Sequence, residues 1–186
     1  MEQIAIIVRS LDKLNDLVGR SLSWLTLAMV LVTFAVVILR YVFSIGWVAM
    51  QESYVWMHGI VFMGGAAYTL LHNGHVRVDI LYRGASPQFR AKVDIFGVCF
   101  LMLPVLILVA WVSTGYILTS WAGLEESREA GGLPGLFLLK SMIWVFSGLM
   151  SLQAVALALR SGLVLAGYGP FLAEAETMEG EGARHE

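Results

Sequence analysis

Four long apolar stretches constrain this chain more than any other feature of its sequence. A helix that crosses the hydrocarbon of a bilayer needs about 20 mostly apolar residues, because each residue adds about 1.5 Å and the hydrocarbon is about 30 Å thick. Four stretches meet this requirement, at about residues 22–43, 53–71, 93–121 and 136–166. The sequence therefore predicts an all-α, polytopic membrane protein with four transmembrane helices.

The composition agrees with a chain that lipid solvates. Of its 186 residues, 58% are hydrophobic and 14% are charged, whereas soluble domains carry roughly 25% charged residues. The formal net charge of −2 gives no reason to expect a nucleic-acid partner. The single cysteine, Cys99, lies in an apolar run, so one chain can build neither a disulfide framework nor a thiolate metal site.

Turn and capping residues separate the apolar stretches. Ser86 and Pro87 are typical of a helix N-cap followed by proline at the first helical position. Gly123 is placed to end the third helix. The cluster at residues 131–135 contains three glycines and Pro134, which predicts a turn before the fourth helix.

Basic residues are concentrated on one side of the predicted membrane. Short cytoplasmic loops are enriched in lysine and arginine, and the bases cluster in residues 1–21, in the segment between the second and third helices, and at the end of the fourth helix. Both termini are therefore predicted to be cytoplasmic. A cleaved signal peptide is the competing interpretation of the first stretch, which is longer than a signal core of about 7–15 residues. The predicted organisation is an N-terminal segment 1–21, a membrane domain 22–166 and an acidic cytoplasmic tail 167–186.

Ionisable residues at membrane depth are functional candidates, because burying their charge in lipid is costly. Arg40 lies toward the end of the first stretch and Glu52 opens the second, which predicts an ion pair, with ion or substrate coordination as the alternative. Lys140 falls near the start of the fourth helix, close to the headgroups. Trp47 lies near the same end and is typical of an interfacial anchor.

His58 and His72 are separated by 14 residues on one predicted helix, a spacing that membrane cytochromes use for two haems. The other three stretches contain no histidine, so a second axial ligand is missing and we expect no cofactor. His72, His75 and Asp79 also form a weak metal-site candidate, with water-facing loop histidines as the simpler interpretation. No motif of an enzyme active site is present, so we expect no enzymatic activity.

The segment 75–83 mixes apolar residues with Arg77 and Arg83. Such a pattern is typical of an amphipathic segment that lies in the membrane interface with its bases toward lipid headgroups. The same segment is also suited to docking against another subunit, and the two interpretations are compatible.

The sequence resembles the small membrane subunit of tripartite ATP-independent periplasmic (TRAP) transporters. The similarity extends from Arg40 to Gln153 and depends on the order and spacing of three blocks of residues. The first block is Arg40 to Phe43, Trp47, Gln51, Glu52 and His58; the second is Gly65 to Tyr68 followed by His75, Val76, Arg77, Val78 and Asp79; the third is Ser120, Trp121, Glu125, Ser127, Gly131 to Pro134, Lys140 and Gln153. The pair Gln51 and Glu52 resembles the branch named for mannitol or chloroaromatic compounds.

The resemblance implies a three-part importer in the bacterial inner membrane. In such a system a periplasmic protein captures the solute and a large membrane subunit carries it by using an ion gradient. The small subunit braces the scaffold of the large subunit and does not bind the solute. The implied solute is an organic acid or a similar compound.

Two other functions stay open at this point. A small haem-binding electron carrier would use His58 and His72 as ligands, and a visible absorption spectrum would reveal it. A stand-alone homo-oligomeric transporter would carry solute in liposomes without other proteins.

Overall fold

The computed structural model describes residues 1–76, 85–169 and 171, and within these residues the regular structure is helical. The helices are α1 (Glu2–Tyr41), α2 (Val48–Leu71), α3 (Pro87–Gly97), α4 (Leu103–Ala122) and α5 (Leu136–Leu165). A π-helical turn, Val98–Met102, joins α3 to α4 without a break. Within these ranges, four continuous helices are long and apolar enough to cross a membrane, which confirms the predicted fold class.

Helix α1 is longer than a membrane span requires. Its 40 residues extend over about 60 Å, so the helix includes both the first apolar stretch and most of the polar segment before it. The side chains of Ala5 and Val8 are buried against Leu163 of α5. The N-terminal half of α1 is therefore part of the helical bundle.

The junction between α3 and α4 follows from a proline. Pro104 has no N–H group and so cannot donate to the carbonyl of Phe100 in a regular α-helix. The backbone widens just before it, and the N–H of Leu103 bonds to the carbonyl of Val98 five residues earlier. Such single π-helical turns let a helix continue past a local defect.

The helix boundaries at two predicted positions are confirmed. The Oγ of Ser86 accepts a hydrogen bond from the backbone N–H of Phe89 at 3.3 Å, with Pro87 at the start of α3. Gly123 caps α4, and its N–H donates to the carbonyl of Thr119. At the start of α5 the cap is Gly135, whose φ of +91° lies in the left-handed region that favours glycine.

Small residues let the helices approach closely. The chain packs α1 against α2, α2 against α5, and α5 against both α3 and α4. A Cβ on Gly19 of α1 would collide with the ring of Tyr68 of α2, and a Cβ on Gly64 would lie 2.7 Å from Leu22. Ala67 is buried beside Leu106 and Met150. Close approach of this kind is what holds helices together in lipid.

Several predictions concern residues outside the described ranges. Arg77, Asp79 and nearly all of the proposed interfacial segment 75–83 lie there, as does most of the acidic tail 167–186. The interfacial position of that segment stays a prediction.

Candidate functional site

Two ends of the bundle carry most of its polar side chains. We call the end with the α1–α2 connection (residues 42–47) and the α4–α5 connection (residues 123–135) the connector end. The opposite end, where α1 and α3 begin and α5 ends, is the N-terminal end.

At the connector end, Glu52 holds the α4–α5 connection. Its carboxylate accepts hydrogen bonds from the Oγ of Ser127 and, at 2.6 Å, from the backbone N–H of Leu133. The connection is also closed by a bond from the N–H of Ser127 to the carbonyl of Leu133 at 3.2 Å. A Cβ on Gly132 would collide with Ser127 and Glu52. A glycine at this position therefore leaves the space that the carboxylate occupies.

A second contact joins the same connection to α5. The Nζ of Lys140 pairs with Glu125 and lies 4.0 Å from the centre of the Tyr116 ring. Ser120 donates its Oγ hydrogen to Glu125 at 2.7 Å. The hydrogen bond from Lys140, and after it the one from Ser120, hold the pKa of the Glu125 carboxyl below its usual range. Glu125 is therefore charged at neutral pH. The long side chain of Lys140 reaches from α5 to this carboxylate in the polar connection.

The ends of α4 and α5 meet through an aromatic contact. The Nε1–H of Trp121 donates to the Oγ of Ser141 at 2.8 Å, and the Trp121 and Phe137 rings lie 4.5 Å apart at their centres. The connection between these helices is thus fixed to α2, α4 and α5 together. The side chains of Glu125 and Ser127 bond within the chain, whereas Glu126, Arg128 and Glu129 are exposed.

The predicted ion pair between Arg40 and Glu52 is wrong for the described part of the chain. Both carboxylate oxygens of Glu52 face the α4–α5 connection instead. Arg40 is exposed in the last turn of α1. Proximity in sequence suggested the pair, whereas the long connection folds over the start of α2 and supplies nearer donors.

The other candidates do not gather into one site. Trp47 is exposed, Gln51 is half-buried, and His58 is exposed on the side of α2 that faces α1. The exposed ring of His75 lies 3.2 Å from the carbonyl of Ala66. Among the predicted residues that the structure describes, only Glu52 and Lys140 bind the same connection.

The N-terminal end contains a polar network that the sequence reasoning missed. The Nδ2 of Asn15 donates to the Oε1 of Gln153 at 2.7 Å, and the Nε2 of Gln153 donates to Asp12 at 2.9 Å. Asp12 also pairs with Arg160 at 2.5 Å. Asn15 and Gln153 are buried, so the network joins α1 to α5 inside the bundle. The helical spacing of Asp12, Asn15 and Gly19 was the signal that could have revealed this face.

The histidines give no arrangement suited to a cofactor in the described ranges. His72 lies 3.8 Å from Asp16 and packs its ring on Tyr68, with the ring centres 4.2 Å apart. No group of three or more histidine, cysteine, aspartate or glutamate side chains within those ranges is placed to hold a metal ion.

These features define a multi-pass α-helical membrane protein with polar contacts between its own helices and connections at both ends of the bundle. A family model described as "Tripartite ATP-independent periplasmic transporters, DctQ component" matches residues 29–162. The chain therefore belongs to the DctQ family, the small, non-catalytic membrane component of TRAP transporters. No curated protein and no solved structure matches the chain.

Family membership establishes that this chain is one component of a transporter. DctQ components are parts of transporters and not enzymes. They associate with a large membrane subunit and a periplasmic solute-binding protein. Together with the four helices of the described residues that are long and apolar enough to cross a membrane, membership of this family indicates a multi-pass protein of the inner membrane.

Proposed function

We propose that this chain braces the static scaffold of the large subunit during ion-gradient-driven uptake of an organic acid. The observation that carries the proposal is the way polar contacts join the helices at both ends of the bundle. Glu52 and Lys140 fix the connector end, and the network around Gln153 fixes the N-terminal end. Charged groups bound in this way stabilise one helix arrangement and are not free to coordinate a moving solute.

Co-purification tests the proposal. The chain, tagged and expressed at native level, is extracted in mild detergent, and the proteins that co-purify are identified by mass spectrometry. We expect recovery of one much larger polytopic subunit. Recovery of this chain alone, as a homo-oligomer, would contradict the proposal.

We further propose that both termini face the cytoplasm. Four exposed bases, Arg9, Lys13, Arg20 and Lys92, lie toward the N-terminal end, whereas the connector end carries two exposed bases, Arg40 and Arg128, the second beside acidic residues. This asymmetry fits the positive-inside rule. Single cysteines introduced at positions 128 and 13, in a chain whose Cys99 is replaced by serine, would be labelled by a membrane-impermeant thiol reagent from the periplasm at position 128 only. Labelling at position 13 in intact cells would refute this orientation.

The segment 75–83 is proposed to contact lipid headgroups through Arg77 and Arg83. Its mixed apolar and basic sequence supports this interfacial position. Reversing both charges to glutamate should weaken seating in membranes that contain anionic lipid. Normal insertion and normal co-purification of that variant would refute the proposal.

A further inference from the structure

An apolar groove of about 520 Å³ runs between α1 and α2 on the surface of the bundle. Five residues of α1 between Met29 and Val37 line one wall, and Tyr54 and His58 of α2 line the other. His58 is exposed there. It is the one ionisable side chain among the residues that line this groove, apart from the phenol of Tyr54.

The depth of His58 follows from the register of α1 against α2. The groove brings His58 level with the α1 segment that starts at Met29. Met29 lies nine residues after Arg20 and eleven residues before Arg40, which corresponds to about 14 Å and about 17 Å of helix. Since the hydrocarbon is about 30 Å thick, a span bounded by these two arginines places His58 near the middle of the membrane.

The imidazole of His58 is not satisfied by the part of its own chain that the structure describes. Within the described residues it has no hydrogen-bond partner, and its ring contact is with Phe62, with the ring centres 6.2 Å apart. By contrast, the hydroxyl of Thr33 on the opposite wall donates to the carbonyl of Met29 at 2.7 Å. The groove therefore presents two polar groups without a hydrogen-bond partner among the described residues, the imidazole of His58 and the hydroxyl of Tyr54, on an otherwise apolar surface.

Lipid is a poor occupant of such a groove. Acyl chains offer no hydrogen-bonding group, and headgroups lie about half a bilayer thickness away from the middle of the membrane. A polar side chain at this depth is retained where a neighbouring helix supplies its partner. A second protein helix can fill the groove with its apolar side chains and can also supply one polar side chain that bonds to the imidazole.

We propose that a transmembrane helix of the large subunit lies in the α1–α2 groove and forms a hydrogen bond with His58. This inference rests on the assembly with the large subunit proposed above and adds which face makes the contact. The concave apolar walls position the helix, and His58 sets its register along the membrane normal.

Site-specific photocrosslinking in membranes tests the contact. The photoreactive residue benzoylphenylalanine is placed at Val37 in the groove or, as a matched control, at Val112. Both valines are exposed, but Val112 belongs to α4, which packs along α5, away from the groove. We expect a crosslinked product with the large subunit from position 37 and none from position 112.

The alternative results distinguish the contact from the assembly itself. If the large subunit co-purifies but crosslinks from position 112, or equally from both positions, the groove assignment would be overturned. The proposed assembly with the large subunit would still hold. A crosslink between two copies of this chain, or to lipid alone, would also overturn it. Absence of the large subunit from the purified unmodified chain would overturn both proposals.

Substitution of His58 tests the hydrogen bond. His58→Leu removes it but keeps a side chain of similar size, whereas His58→Gln keeps a donor and an acceptor. At equal membrane levels, we expect the crosslink yield from position 37 to fall several-fold in H58L and to be retained in H58Q. An unchanged yield in H58L would show that the imidazole does not contribute to the contact.

Discussion

Replacing Gln153 by leucine tests the network that joins α1 to α5. The substitution removes an amide that accepts from Asn15 at 2.7 Å and donates to Asp12 at 2.9 Å. Asp12 keeps its pair with Arg160. Asn15 is 1% exposed, and its Oδ1 already has no hydrogen-bond partner among the described residues. Both polar ends of the Asn15 amide would then be buried and unpaired.

The expected loss follows from that unpaired amide. Leaving a buried donor without its partner costs about 1–3 kcal/mol, while hydrogen bonds between helices in membranes average about 0.6 kcal/mol. The lost bond to the charged Asp12 adds to the cost of the orphaned amide. We therefore expect Gln153→Leu to lower the free energy of unfolding by about 2 kcal/mol.

The double variant supplies the control. Replacing both Asn15 and Gln153 by leucine removes the unpaired amide together with its partner, and such paired replacement is often close to neutral. We expect it to regain about 1 kcal/mol relative to the single variant. Unfolding is followed by circular dichroism in mixed micelles with increasing dodecyl sulfate. A single variant within about 0.5 kcal/mol of wild type, or a double variant that shows the sum of both losses, would refute the reasoning.

Three further changes test the packing and the connector end. Gly19→Ala should lower the free energy of unfolding by about 1–3 kcal/mol through overpacking, whereas Gly65→Ala, which has open space around its Cβ, should not; equal effects in thermal unfolding would contradict the packing described. Glu52→Ala should raise the hydrogen exchange of the α4–α5 connection about tenfold, because a charged acceptor is lost, and unchanged exchange would contradict that anchoring role. Lys140→Met should raise the pKa of Glu125 in a carbon-13 NMR titration, since the lysine contact is the main cause of its lowered pKa; an unmoved pKa would show that the pair does not form. In the wild type this contact stabilises the connection above the ordinary pKa of glutamate and is lost as the pH falls through the lowered pKa.

The helical architecture could be read from the sequence because it depends on local rules. Hydrocarbon thickness fixes the length of a span, and the cap at Ser86 needs only neighbouring backbone groups. Residues such as Gln51 and Glu52 resemble those of the small TRAP subunit, and the family model that matches residues 29–162 identifies the same family.

The polar contacts could not be read in the same way. Which partner Glu52 takes depends on how a 13-residue connection folds over the start of α2, and Arg40 was merely nearer in sequence. The bond between Asn15 and Gln153 joins residues 138 positions apart. Such pairs depend on how far α1 is shifted along α5. The periodicity of apolar residues constrains that shift only loosely.

The most direct test of the bracing role is uptake into liposomes. The large subunit, with its solute-binding protein added outside, is reconstituted with or without this chain, and this chain is also reconstituted alone. Uptake of labelled organic acids, including lactate and pyruvate, is then measured under an inward sodium gradient. The account predicts uptake by the complete system and none by this chain alone. Solute uptake by this chain alone, or full activity of the large subunit without it, would contradict the account.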